Sequence, residues 1–184
     1  MSVQTTTNVG PARPSSIAWA AQQRVLIALV ALILFGALRY DHFLGAYNVL
    51  SVLRYNSMFA LTSLGMAFVI MTAGIDLSVG TTAACASVVS ALLSPYGLLP
   101  GLLGGLGVGA AVGVINGFMV TRMRILPFIA TLSGMLMASG TGLLLAQNQS
   151  VSVSYDTNFI WLGQGDVFGF PVPAWIALAA YVYG

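Results

Sequence analysis

The sequence predicts an all-α fold, a polytopic transmembrane helical bundle of about five complete spans plus a truncated sixth, and three observations predict it. Hydrophobic residues make up 58% of the chain and charged residues 5%, with a mean hydropathy of +0.94; soluble domains carry roughly a quarter charged residues. The net charge of +2 comes from Arg and Asp alone, and these gather between apolar runs. The runs themselves meet or approach the length of about twenty residues that a helix needs to cross a bilayer.

Met1 to Ser16 is rich in Thr, Ser and Pro without periodicity and is expected to be a disordered cytoplasmic tail, leaving 17–184 as one transmembrane domain. The first window runs from about Trp19 or Arg24 to Leu44, with Arg24 and Arg39 snorkelling toward opposite interfaces. Its uncharged centre, Val25 to Leu38, has the length of a signal-peptide core. The long polar lead and the poor cleavage site at Leu38-Arg39-Tyr40-Asp41 argue against that reading. Asn48 to Ala73 is the second window and Val79 to Leu93 the third, followed by the turn Ser94-Pro95-Tyr96-Gly97. Pro100 to Val120 is the fourth, Leu126 to Ala146 the fifth, and Pro173 to Gly184 reads as the first half of a sixth.

Arginine in short loops stays on the cytoplasmic side. Arg13 and Arg24 therefore put the N-terminus inside, and one crossing per window returns Arg122 and Arg124 to that side. Gln147 to Val172 then falls outside, with Phe159, Trp161 and Phe168 as candidate interfacial anchors. The amide cluster Gln147 to Ser150 reads as an interfacial stop. Arg39, Asp41, His42 and Arg54 also fall outside, against the rule but without reversing it. His42, the one histidine, is expected to be solvated.

Asp76 is the only charged residue between Arg54 and Arg122. A charge at membrane depth costs roughly 2.5–3.5 kcal/mol on insertion scales, so it needs local support. Gly74 is expected to end one helix in a left-handed cap, and Asp76 or Ser78 to cap the next. Hydropathy leaves open whether the flanking windows are full spans or half-helices. In the fourth window, Gly101, Gly105, Gly109, Gly113 and Gly117 recur every four residues and predict a close helix crossing. Asn56, Thr62, Thr72 and Asn116 are candidate linings of a path for a hydroxyl-rich solute, or interhelical hydrogen-bond partners. The single Cys85 reads as a small packing residue.

The chain lacks a phosphate loop, a nucleophile elbow, a metalloprotease motif and any close pair of carboxylates. Catalysis, cofactor binding, metal binding and nucleic-acid binding are not expected of it.

Three segments resemble the sugar-type permeases of ATP-binding-cassette importers, the group of ribose and galactose permeases. Gly74-Ile-Asp-Leu-Ser-Val-Gly80 is similar to that family's signature, with Gly74, Asp76, Ser78 and Gly80 as its matching positions. Ile115-Asn116-Gly117 and Leu126-Pro127-Phe128-Ile129-Ala130-Thr131-Leu132 resemble its next block, which brings in Asn116, Gly117, Pro127, Phe128 and Thr131. Leu162 to Gly165 and Gly169 to Pro173 resemble its external loop. The resemblance implies a permease subunit of the inner (plasma) membrane that pairs with a second permease subunit, receives a monosaccharide or similar polyol from an external solute-binding protein, and is driven by a separate cytoplasmic ATP-binding subunit. Such permeases are about twice as long as this chain, so a truncated, transport-inactive fragment is the alternative expectation. A half-transporter driven by a coupling ion at Asp76 is a third.

Overall fold

A computed structural model of the chain describes residues 23–72 and 74–183. The tail expected to be disordered lies outside them. Among the described residues the fold is helical: α1 (Arg24–Arg39), α2 (Ala46–Met71), α3 (Val79–Leu93), a 3-10 turn (Ser94–Tyr96), α4 (Leu98–Thr121), α5 (Pro127–Leu145), a short α6 (Phe159–Gln164) and α7 (Val172–Tyr183). A two-stranded hairpin, β1 (Asp166–Val167) and β2 (Phe170–Pro171), precedes α7. The chain divides into two compact units, residues 1–49 and 50–184.

In the first unit the polar Tyr40-Asp41-His42 segment stops α1 before the expected end at Leu44. Tyr40 turns extended and His42 adopts a left-handed conformation with φ +62°. The His42 carbonyl accepts the Gly45 N–H at 2.8 Å, and the side chain is exposed as expected. Phe43 folds back over Gly36, where a Cβ would lie 2.6 Å from the ring.

The second unit is built on α3, α4 and α5, and its interior is made of small residues. Cys85, Ala91, Ala130 and Ala138 are buried, while Leu99, Leu103, Leu106, Val114 and Leu136 point outward. That is the reverse of a soluble core. In lipid, large apolar side chains lose nothing by facing out, and helices associate where small residues let their backbones approach. On α5 the small residues Ala130, Gly134, Ala138 and Gly142 recur every four positions and all are buried. A Cβ at Gly142 would sit 3.4 Å from the Cα of Cys85, so α3 rests directly on this stripe.

The glycine stripe of α4 is used differently from the expected close crossing. Gly101 lies under the Phe159 ring and 3.3 Å from the Ser90 carbonyl, and Gly105 meets the Ser90 hydroxyl. Gly109, Gly113 and Gly117 have no atom near enough to touch a Cβ among the described residues. Positions four apart drift by about 40° per step on a helix of 3.6 residues per turn. A stripe that starts against α3 therefore turns away from it.

Among the described residues, three stretches are long and apolar enough to cross a membrane: Val79–Tyr96, Leu98–Thr121 and Pro127–Leu145. The expected count of five complete spans is not reached by that measure. α1 has 16 described residues, α7 has 12, and the 26 residues of α2 include Asn48, Arg54 and Asn56, which dilute its apolar stretch.

Hydrogen bonds tie the two ends of this unit separately. At one end the fully buried Ser94 hydroxyl donates to the Ala91 carbonyl and accepts the Ser154 N–H at 2.8 Å, while Thr157 donates to the Ser94 carbonyl. Arg54 on α2 pairs with Asp166 on β1 at 2.8 Å. The hairpin closes through Phe168 (φ +52°) and Gly169 (φ +78°), a type I′ turn whose twist matches the strands. Trp161 and Phe168 are exposed, whereas Phe159 packs on Gly101.

Gly105→Leu is expected to lower the unfolding midpoint in detergent, because the new side chain must displace Ser90, by about 1–3 kcal/mol of overpacking. Gly113→Leu should fold near wild-type. Equal losses at the two positions would place both glycines in a packed interface.

Candidate functional site

At the opposite end from Ser94, α2 and α3 are separated by the segment that contains Asp76. Gly74 does not take the expected left-handed conformation; its φ is not positive. α2 closes instead on the Val69 carbonyl, which accepts the N–H groups of Thr72 and Gly74 at 3.1 and 3.2 Å and the Thr72 hydroxyl at 2.7 Å. Ser78 stands at the N-cap of α3 in a helical conformation, and its side chain makes no capping bond. Asp76 does that work in another way. Its Oδ1 accepts the Ser78 N–H at 2.7 Å and the Ser78 hydroxyl at 2.6 Å, an Asx-type turn.

The turn is held by helices far away in sequence. Asn116 on α4 donates from Nδ2 to Ser78 Oγ at 2.9 Å. The directions are consistent along the chain: the amide donates to the hydroxyl, and the hydroxyl donates to the carboxylate. Asn116 is buried and its amide is pressed against Gly134 of α5, where a Cβ would collide with Oδ1. Thr131 donates to the Pro127 carbonyl at 2.8 Å within α5 and lies 3.3 Å from the Ile75 carbonyl. Two buried polar atoms here have no partner, Asn116 Oδ1 and Thr82 Oγ1.

Two cavities meet at this turn. One, of about 350 Å³, lies between α2, α3 and α4 and is lined by Thr62, Gly65, Asp76, Ser78, Thr82 and Gly109 together with apolar side chains. The other, of about 390 Å³, lies beneath the turn and takes in Thr72, Gly74, Asn116, Gly117, Thr121 and Thr131. Val69, Asp76 and Gly113 line both. Among the residues singled out in sequence, Asp76, Ser78, Asn116, Pro127 and Thr131 thus come together, with Thr62 and Thr72 on the cavity walls. Asn56 does not join them; it donates to the Val52 carbonyl of its own helix. Phe128 is exposed, and Gly80 meets no atom that a Cβ would touch. The α5 stripe and the role of Gly134 were missed, although Ala130, Gly134, Ala138 and Gly142 carry a small residue every fourth position. No group of His, Cys, Asp or Glu able to hold a metal ion occurs among the described residues.

Apolar helices packed through small residues, with polar side chains turned inward on a break between two of them, define a polytopic membrane protein. The chain belongs to the family described as branched-chain amino acid transport system / permease component, whose profile matches residues 48–182. It is similar to the ribose import permease protein of Escherichia coli (strain K12), 34% identical over 177 residues that cover 94% of this chain and 55% of that protein. It also matches the D-allose transport system permease protein of the same organism at 32% identity, covering 87% of this chain and 50% of the relative. The L-arabinose transporter permease protein of Azospirillum brasilense is 30% identical over 95% of this chain and 52% of the relative. The chain therefore spans about half the length of the curated relatives it matches. No solved structure matches it.

Gly134→Ala is expected to destabilise the fold by about 1–3 kcal/mol, because its methyl group must move the Asn116 amide. In an Asn116→Ala background the same change should cost at least about 1 kcal/mol less. Denaturation of the four proteins in one detergent measures that coupling, and additive losses would mean that Asn116 does not rest on Gly134.

Proposed function

We propose that this chain forms part of the translocation pathway of an ATP-binding-cassette importer for a monosaccharide or a similar polyol. The observation that carries the reading is the pair of cavities around Asp76, in which hydroxyl side chains and the Asn116 amide stand in an otherwise mostly apolar lining, with no cationic side chain in either. A neutral, hydroxyl-rich solute matches such walls. A zwitterionic amino acid would find Asp76 for its ammonium group but no cation in either lining for its carboxylate. The names of the relatives, which are permeases for ribose, allose and arabinose, support the same choice.

In this reading α1 and α2 also cross the membrane, with α7 as the start of a further crossing and the N-terminus on the cytoplasmic side. The hydrogen-bond ties favour that threading. Ser94 with Ser154 and Arg54 with Asp166 join segments assigned outside, whereas Asp76, Asn116 and Thr131 join segments assigned inside. A second permease subunit, an external solute-binding protein and a cytoplasmic ATP-binding subunit complete the transporter. Asp76 has a structural part in it, since its carboxylate holds the entry to α3.

Radiolabelled D-ribose, D-allose and L-arabinose uptake tests the reading in cells that express the chain with the genes beside it and lack other sugar permeases. Uptake of at least one sugar should survive collapse of the proton gradient and disappear on ATP depletion. Uptake of L-leucine in place of sugar, or loss with the gradient alone, would overturn it.

Asp76→Asn keeps an acceptor for Ser78 but weakens charge-assisted bonds, by about 1–2 kcal/mol. We expect less assembled protein in the membrane and an unchanged order of competing sugars. Wild-type assembly with an altered order would refute the structural role.

A further inference from the structure

We infer that the free face of α2 around Tyr55, Asn56, Phe59 and Thr62 is where this chain touches a sugar in transit; this rests on the importer reading and extends it to a surface that the cavities reach only at Thr62. α2 has 26 residues, about 39 Å of helix. Asn56 is the eleventh of them, about 15 Å from the first, and so falls inside a hydrocarbon layer about 30 Å thick when α2 crosses it. The four residues stand at positions i, i+1, i+4 and i+7, on one side of the helix. All four are exposed, Tyr55 at 67% and Phe59 at 73%. The adjoining side is taken by α7, whose Tyr181 hydroxyl meets Ala60 and Ser63.

Exposure means different things on different helices of this fold. Along α4 and α5 the exposed side chains are apolar or small, with no amide and no phenol among them, as suits contact with lipid. The Tyr55 side of α2 breaks that rule. Asn56 Nδ2 gives one hydrogen to the Val52 carbonyl at 2.8 Å, which leaves the second N–H and Oδ1 open among the described residues. Thr62 donates to the Met58 carbonyl at 3.0 Å and keeps lone pairs to offer, and the Tyr55 hydroxyl adds a donor and an acceptor. Hydrocarbon leaves such groups unsatisfied, so this face does not turn to lipid. Nor does it suit a second helix. Close contacts in this fold run through small residues such as Ala130, Gly134 and Ala138, and two aromatic rings at mid-face hold a neighbouring backbone away.

A sugar fits what is left. The faces of the Tyr55 and Phe59 rings are electron-rich and receive the polarised C–H groups on one side of a pyranose or furanose. The Asn56 amide serves two neighbouring hydroxyls at once, one as donor and one as acceptor, and the Thr62 and Tyr55 hydroxyls take others. Tyr55 and Thr62 are about 10 Å apart along the axis, room for one monosaccharide between them. No charged side chain stands among the four, so a neutral solute meets no unpaired charge. Thr62 also lines the cavity of about 350 Å³ between α2, α3 and α4, so this surface and the site on which the importer reading stands share a wall.

Cysteine accessibility, in membranes that carry the chain together with the products of the genes beside it, tests the surface. In a Cys85→Ala background, Tyr55→Cys, Phe59→Cys and Leu103→Cys are treated with a small charged methanethiosulfonate reagent, alone or with D-ribose, D-allose, L-arabinose or L-leucine. Positions 55 and 59 should react at least tenfold faster than position 103 on the exposed apolar side of α4. At least one sugar should slow them threefold or more, and L-leucine should not. In cells, Asn56→Leu should assemble at the wild-type level and change the order in which the three sugars compete for uptake, an order that Asp76→Asn leaves alone. Reaction at 55 and 59 as slow as at 103 would give this face to lipid or to a second permease subunit. Fast reaction that no sugar slows would make it a bare wall of the aqueous path. Either result, or an unchanged order in Asn56→Leu, overturns the contact, while ATP-driven sugar uptake would still uphold the importer reading. Protection by L-leucine in place of every sugar overturns both.

Discussion

Everything in the second unit turns on how a backbone break between two apolar helices is kept satisfied. Where α2 ends and α3 begins, N–H and C=O groups lose their helical partners, and in an apolar surrounding each orphan costs several kcal/mol. Here the Val69 carbonyl collects the end of α2, Asp76 collects the start of α3, and Asn116 and Thr131 reach in from α4 and α5. The break is therefore a junction of four helices. Its position fixes where the cavities can lie, since both of them use the Asp76 turn as a wall.

Packing follows from the same requirement. For Asn116 to reach Ser78 it must pass across α5, and only glycine at 134 leaves room for the amide. The α5 stripe that contains Gly134 brings α3 close enough for Cys85 to rest on Gly142. Small residues thus serve two ends, close approach of backbones and passage of a polar side chain between them. The large apolar residues, left outside, are what a bilayer solvates.

Much of this was legible in the sequence, and the reasons for the remainder are physical. The run Val79 to Leu93 coincides with α3 because a polar break precedes it and Ser94-Pro95 follows it. Asp76 announces itself as a lone charge between apolar runs. The contact between Asn116 and Ser78 does not, because the two lie 38 residues apart and no periodicity encodes which faces meet. The α4 glycines were visible but ambiguous: spacing tells that a groove exists, not whether a helix or empty space fills it. The α5 stripe was hidden by its alanines, which read as ordinary apolar residues. Arg54 and Asp166, 112 residues apart, are unpredictable as a pair for the same reason as Asn116 and Ser78.

The moorings of α2 carry a mechanical meaning. Near its start Arg54 grips the hairpin, and at mid-length the Ala60 carbonyl receives the Tyr181 hydroxyl of α7, 3.1 Å away, beside Ser63. At its far end α2 is joined to α3 by the Asp76 turn, with a cavity in between. Fastened along one side and joined to α3 at its foot, α2 cannot shift without breaking one of these bonds or carrying the hairpin and α7 with it, so the same moorings set the width of the cleft beside the turn.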